Sequence, residues 1–173
     1  DGPDAPDIDW IELDRELIAV LTNDTVVSNN KYENYAEEGL QIPPLEEDNL
    51  YVFEGYKLFQ LSGPDVTVAD LDNAEKARQI FQVDIKNNIS TIYNWRPVED
   101  SPLSEPVYEP TQMVDGNNDG VRHTFRIRED AFATGQDRRL INHRKYYFLA
   151  VAYAHNEYAP FDPFDGTGQR QPY

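Results

Sequence analysis

The chain has 173 residues with 15 basic and 32 acidic side chains, which gives a net charge of −17. This charge disfavours nucleic acids and anionic membrane surfaces as partners, and no apolar segment is long enough to predict membrane insertion. Cysteine is absent, which excludes disulfide bonds and thiolate chemistry. The 11 Tyr, 8 Phe and 2 Trp residues can supply one sizeable core.

Both ends of the chain have the composition of connecting segments. Residues 1–7 are rich in Asp, Gly and Pro, and residues 161–173 combine these residue types without strand-like alternation. We therefore predict a linker at residues 1–7 and a linker or tail at residues 161–173, within a longer polypeptide. The domain is predicted to occupy residues 8–160, with insertions at residues 23–49 and 62–114.

The first elements along the chain are two short strands. Residues 8–13 and 16–22 carry apolar side chains with the two-residue period of a strand. The polar residues 23–49 predict a long loop, which either packs on itself or forms a binding surface. Packing is the favoured interpretation. In the alternative, Tyr32 and Tyr35 are candidate ligand-binding residues that stack against a glycan or contact a protein.

Two stretches further along have the strongest strand pattern. Leu50–Leu61 contains Gly55, which indicates a bulge or a close backbone approach. Residues 144–156 are apolar on both faces, as in a central strand that is covered on each side. Between them, residues 121–127 alternate like a half-exposed strand, with His123 on the apolar face.

The second insertion predicts a helix, a hairpin and a loop. The spacing of Asp and Glu at residues 72–75 is that of a capping box, which predicts a short helix over residues 73–79. Residues 81–85 and 89–95 are predicted to pair as a hairpin. Residues 96–114 contain several prolines and are predicted to be a loop.

These elements predict an all-β fold, and four segments carry a family resemblance. Residues 146–152 resemble the penultimate strand of fibronectin type III domains, and Gly55-Tyr56-Lys57-Leu58-Phe59 resembles their third strand. A closer resemblance is to fibronectin type III-like modules in large secreted proteins of the Bacteroidota, often exported by the type IX system. Its carriers lie, in order, at residues 51–61, 69–78, 120–125 and 145–153.

The resemblance implies an immunoglobulin-like β-sandwich with a long loop and short helical insertions. Tyr146 would be the corner tyrosine whose hydroxyl bonds to nearby backbone, while Phe148 and Tyr56 would be structural core residues. The last strand of the family is missing after residues 144–156. We therefore expect a partner strand to pair with the open edge, from a neighbouring domain of the same polypeptide or from another chain.

One motif has the spacing of a calcium loop. Residues 115–120 match the first half of such a loop, in which Asp115, Asn117 and Asp119 would bind Ca²⁺ and Gly120 would permit the sharp turn. Arg126 stands where the closing glutamate is expected, so the segment is not an EF-hand. The alternative, which is favoured, is an ordinary turn into the next strand.

The sequence offers little that is typical of catalysis. No zinc-binding histidine spacing and no nucleophile elbow are present. We therefore predict a structural or adhesive module, not an enzyme, in a secreted or surface-attached bacterial protein, with Ca²⁺ as a candidate stiffening ion. The alternative is a glycan- or protein-binding module that uses residues 23–49. A third interpretation is an accessory domain of a secreted hydrolase.

Overall fold

Nine strands and two short 3-10 turns make up the computed structural model, which describes residues 2–40, 42–43, 48–99 and 106–173. The turns lie at Lys31–Glu33 and Val68–Asp70. The strands are β1 Asp7–Leu13, β2 Glu16–Thr22, β3 Ala36–Glu38, β4 Leu50–Leu61, β5 Ala77–Asp84, β6 Thr91–Pro97, β7 Tyr108–Asp115, β8 Thr124–Ile127 and β9 Tyr147–His155. The fold is therefore all-β, as predicted.

Two antiparallel sheets form a β-sandwich. In the first, β2 lies between β1 and β8. In the second, β4 is central, with β9 on one side and β3 and β5 on the other. The core between the sheets contains Ala19 and Phe125 from the first sheet and Tyr56, Leu58 and Ala150 from the second. Burial of these apolar side chains holds the two sheets together.

A third layer covers the outer face of the second sheet. The antiparallel β6–β7 hairpin packs Ile92 and Val114 against Tyr153 of β9. Near the C-terminal end of β4, Phe59 packs with Leu71 from the segment that follows this strand. This explains why β4 and β9 are apolar on both faces, since each is covered on both sides.

The predicted strands of the sandwich are confirmed, whereas the helix predicted within the second insertion is not. The strand predictions at β1, β2, β4 and β9 are confirmed, and β8 is shorter than predicted. The predicted helix over residues 73–79 is wrong. The side chain of Asn73 instead accepts a hydrogen bond from the backbone of Glu75, which makes a turn, and β5 begins two residues later at Ala77.

The pairing predicted for the second insertion is also wrong. β5 pairs with β4, while β6 pairs with β7, so residues 81–85 and 89–95 do not form a hairpin. The segment predicted as a loop over residues 96–114 contains β7, although residues 100–105 lie outside the described part. The four prolines of residues 97–110 favoured a loop in the prediction, but proline is tolerated at the edges of a two-stranded sheet.

The predicted connecting segments are packed in the structure. The backbone N–H of Asp4 donates to the side chain of Asn29, which fixes residues 2–6 on the first loop. In the tail, the ring of Phe161 is buried against Trp95 and Tyr108. The segment predicted as a linker or tail therefore lies against the hairpin layer.

The structure shows the surroundings of the three structural residues that the resemblance names. The hydroxyl of Tyr146 accepts a hydrogen bond from the backbone N–H of Ile141 at 2.9 Å, which is the contact predicted for a corner tyrosine. Phe148 packs its ring against Trp10 across the sandwich, with 4.8 Å between centroids. Tyr56 is fully buried in the core. The ring contact of Phe148 connects β9 to the facing sheet, whereas the bond to Tyr146 fixes the segment just before β9.

Candidate functional site

β9 leaves one backbone edge without a strand neighbour. In the part of the chain that the structure describes, its only strand partner is β4, which pairs with it from Val52 to Leu61. Along an antiparallel strand, alternate N–H and C=O groups point to each side. The groups that point away from β4 are therefore available to another strand.

A groove runs beside the first half of this edge. It has a volume of about 1000 Å³ and lies between the end of β1 and the beginning of β9. Its apolar walls are formed by Trp10, Leu13, Leu61, Val66, Tyr147 and Leu149. Trp10 is 38% exposed and Leu13 is 49% exposed, so both present apolar surface to solvent beside the strand. The combination of an unpaired strand edge and apolar walls is typical of a site for strand addition.

The tail covers the far end of the same strand. The backbone N–H of Asn156, immediately after β9, donates to the carbonyl of Pro172 at 3.0 Å. Three residues after Asn156, the carbonyl of Ala159 accepts a hydrogen bond from the backbone N–H of Gln169 at 2.9 Å. These bonds set the tail antiparallel to the continuation of β9. The open edge is therefore confined to β9 itself.

The predicted calcium loop is turned with one side towards solvent and the other towards β5. Asp115, Asn117 and Asp119 are all exposed. Asn118 faces inward instead, and its backbone N–H donates to the carboxylate of Asp84 at 3.0 Å. Its side-chain oxygen accepts the backbone N–H groups of residues 87 and 88. Among the described residues, no group of three or more His, Cys, Asp or Glu side chains is placed to hold a metal ion.

A buried carboxyl pair lies beneath this loop, and sequence reasoning missed it. Glu54 is fully buried and accepts a hydrogen bond from the side chain of Asn87 at 2.8 Å. Burial raises the pKa of Glu54 to about 7; the bond from Asn87 lowers it, and the nearby charge of Asp84 raises it further. Glu54 therefore stays largely protonated at a pH where ordinary glutamates are ionised.

Lys57 is a buried basic residue on the same strand as Glu54. Burial lowers its pKa to about 8, although the carboxylate of Asp72 opposes the shift. Its Nζ donates to the carbonyl of Met113 at 2.6 Å and to the hydroxyl of Tyr173 at 3.0 Å. The ammonium also lies over the rings of Tyr173 and Tyr153. These contacts join β4 to the hairpin layer and to the tail, so the role of Lys57 is structural.

The two tyrosines that were predicted as ligand-binding residues both lie in the loop after β2, but one is buried and the other is exposed. Tyr35 is 5% exposed and belongs to the core, so its ring cannot stack against a sugar on the surface. Tyr32 is 70% exposed and has a φ of 57°, which is an unfavourable conformation for a bulky residue. Val26 and Val27 of the same loop are also largely exposed. Only Tyr32 therefore remains a candidate surface residue.

Polar contacts hold this loop in place. The hydroxyl of Tyr56 accepts a hydrogen bond from the side chain of Asn23 at 2.6 Å, and burial raises the pKa of this hydroxyl to about 12. The imidazole of His123 contacts the carboxylate of Glu33. His123 was predicted to lie on the apolar face of a strand; its side chain is half exposed, and β8 begins only at the next residue.

Comparisons with known proteins do not assign this chain to a family. No family model, no curated protein and no solved structure matches it. Across the described residues, the structure contains no helix with the length and apolar character needed to cross a membrane.

Proposed function

We propose that this chain is a non-catalytic structural or adhesive module of the fibronectin type III kind. It would belong to a secreted or surface-attached multidomain bacterial protein, as the resemblance to modules of the Bacteroidota implies, and would act outside the cell. Its role is to space or present neighbouring domains, and it joins them or another chain through the open edge of β9. The residues with shifted pKa values have structural partners, which is in keeping with this role.

The order of the strands supports this proposal. Fibronectin type III domains share the architecture of two antiparallel sheets packed face to face over one core. Here β1, β2 and β8 form the first sheet, and β5, β4 and β9 form the second. The bond from Ile141 to the hydroxyl of Tyr146 adds to the likeness.

The single observation that carries the proposal is the edge of β9 that lacks a strand neighbour. We expect alternate amides of β9, those that point away from β4, to exchange rapidly with deuterium in the monomeric chain. The amides of β4 should exchange slowly, because this strand has neighbours on both sides. Amide exchange followed by NMR measures both strands in one sample. Slow exchange along all of β9 in a monodisperse monomer would contradict the proposal.

Calcium binding at residues 115–120 gives a second expected result. If Asp115, Asn117 and Asp119 hold Ca²⁺, binding at about 100 times the dissociation constant adds about 2.7 kcal/mol to the free energy of unfolding. We expect a higher unfolding midpoint in millimolar CaCl₂ than in EDTA, and no such difference in Asp119→Ala. Glu75→Ala, which removes an exposed carboxylate elsewhere, serves as the control. Equal midpoints in the parent chain would mean that the segment is an ordinary turn.

The exposed apolar residues of the first loop favour one alternative function. Val26, Val27 and Tyr32 project from a loop that is fixed by the buried hydroxyl of Tyr56. A rigid loop with exposed aromatic and aliphatic side chains suits the binding of a glycan or a protein. Loss of such binding in Tyr32→Ala, with unchanged stability, would favour this alternative over a purely structural role.

A further inference from the structure

The two segments that connect the hairpin layer to the sandwich lie side by side over the buried carboxyl pair. Residues 85–90 lead from β5 into β6, and residues 116–123 lead from β7 into β8. Both connections are at the same end of the hairpin, because the first residue of β6 pairs with the last residue of β7. The backbone N–H of Gly116 donates to the carbonyl of Ser90 at 2.7 Å. This end of the layer is therefore attached to the sandwich through two neighbouring segments that are bonded to each other.

A chain of hydrogen bonds joins both segments to the carboxyl pair. The side-chain oxygen of Asn118 accepts the backbone N–H groups of Asn87 and Asn88 at 2.8 and 3.1 Å. The backbone N–H of Asn118 donates to both carboxylate oxygens of Asp84. The side chain of Asn87 donates to Glu54 at 2.8 Å. These bonds run from β4 through both connecting segments to β5, and together they are called the latch.

The latch has no group that balances a second negative charge. Glu54 is 0% exposed and Asp84 is 2% exposed. Oε1 of Glu54 is buried without a hydrogen-bond partner among the described residues. No ion pair formed by these residues includes either carboxyl group. Since the charge of Asp84 already acts on Glu54, ionisation of Glu54 would place two like charges together, away from water.

The other ionisable groups around the latch do not relieve this repulsion. From β9, the hydroxyl of Tyr153 lies near both carboxyl groups, but it donates to the carbonyl of Val83 at 3.2 Å. On the connecting segments, the ammonium of Lys86 is exposed, so water screens its charge. Asp115 and Asp119 are exposed as well, and they add negative charge. Two ionised carboxylates in the latch can therefore be stabilised only by the entry of water.

We propose that Glu54 controls the attachment of the hairpin layer by gaining and losing a proton. While Glu54 is protonated, the latch stays closed. When Glu54 ionises, residues 85–90 and 116–123 separate, water reaches both carboxylates, and this end of the layer is released. The paired strands β4 and β5 remain in place, because the residues that separate belong to surface connections. The other end of the layer stays attached through the ring of Phe161.

The pH range of the opening follows from the two environments of Glu54. Its pKa is about 7 in the closed latch and returns towards the ordinary 4.5 when water reaches it. The equilibrium constant for opening therefore rises with pH from about 4.5 and levels off above about 7, by up to about 300-fold. Lys57 acts in the opposite direction and at higher pH. Burial lowers its pKa to about 8, so the loss of its proton above that value favours the buried state.

Amide exchange of Asn87, Asn88 and Asn118, followed by NMR from pH 5 to pH 7.5, tests this inference. After correction for the intrinsic exchange rate at each pH, we expect the opening constant of these amides to rise about 50-fold in the parent chain. Glu54→Gln cannot ionise at this position, so its opening constant should change less than about threefold. Glu75→Gln, which removes an exposed carboxylate elsewhere, is the matched control and should keep the rise of the parent chain.

Low concentrations of urea distinguish opening of the latch from unfolding of the whole chain. Opening of the latch exposes little surface, so exchange of its three amides should be nearly independent of urea below the unfolding transition. Exchange of the central amides of β4 should accelerate with urea. An equal dependence on urea in the latch and in β4 would show that only global unfolding responds to pH, and the inference would be wrong. A constant opening equilibrium in the parent chain, or an equal rise in Glu54→Gln, would also overturn it.

Discussion

Glu54→Gln is expected to stabilise the fold by about 3 kcal/mol at pH 8 and to leave its stability nearly unchanged at pH 4. Burial raises the pKa of Glu54 from an ordinary 4.5 to about 7 in the folded chain. Between these two values the unfolded chain has released the proton while the folded chain still holds it. Folding must then take up a proton, so stability falls as the pH rises from about 4.5 and levels off above about 7.

Glutamine removes this loss of folding stability at higher pH, because its side chain does not ionise. Its side-chain oxygen can still accept the hydrogen bond from Asn87, so the variant keeps the contact that positions the side chain. Urea unfolding of both chains at several pH values between 4 and 8 measures the difference. Glu75→Gln, at an exposed site, is the matched control and should change the free energy of unfolding by less than about 0.5 kcal/mol. A difference of equal size at pH 4 and pH 8 would mean that ionisation is not its cause.

Gly55→Ala should cost about 3 kcal/mol of folding free energy, because the new methyl group has no space. A Cβ atom at this position would overlap the backbone carbonyl oxygen of Val83 on β5 and would lie 2.7 Å from the hydroxyl of Tyr153 on β9. The carbonyl belongs to the neighbouring strand and cannot turn away without breaking the pairing of β4 and β5. Relief therefore requires a shift of backbone in the centre of the sheet.

Gly63→Ala is the matched control for this substitution. It lies two residues after β4, and a Cβ atom there would have no neighbour within 4 Å. We expect a change of less than about 1 kcal/mol, of either sign, since alanine also restricts the unfolded chain. Chemical unfolding followed by circular dichroism measures both variants. Similar losses for the two would show that the close approach at Gly55 is not the cause.

The strands of the sandwich could be predicted from the sequence because their patterns are local. Leu50–Leu61 and Glu16–Thr22 have the bounds that their own alternation predicts. Gly55 was predicted as a bulge or a close approach, and both occur: the register with β9 shifts between Phe53 and Gly55. Because both faces of β9 are apolar, the sequence predicted that other elements would pack on each of them. The facing sheet and the hairpin layer do so.

The insertions could not be predicted because their structure depends on distant partners. Ala77 falls within the helix predicted over residues 73–79, but in the structure it lies opposite Leu61 of β4. Nothing near residues 89–95 indicates that β6 pairs with a strand that follows several prolines. In such segments, contacts formed with the remainder of the fold override a weak local preference.

The candidate site also depends on contacts between distant residues, which the sequence does not reveal. The motif at residues 115–120 was visible as spacing, but the inward contact of Asn118 with Asp84 was not, because Asp84 lies in a different strand. Glu54 looked like one more acidic residue among 32, since only the fold reveals that it is buried. That β9 has no second strand neighbour among the described residues, in contrast, was predicted from the order of the strands, because it depends on counting elements and not on side-chain contacts.

The anchoring of the tail also determines how the module would respond to a pulling force. A pull on Tyr173 is resisted in turn by its contacts with Lys57 and Asn94, then by the bond between Asn156 and Pro172. Bonds that are loaded one after another separate at lower force than bonds that share the load. The tail would therefore peel away before the sandwich opens, which lengthens the chain under tension while both sheets remain folded.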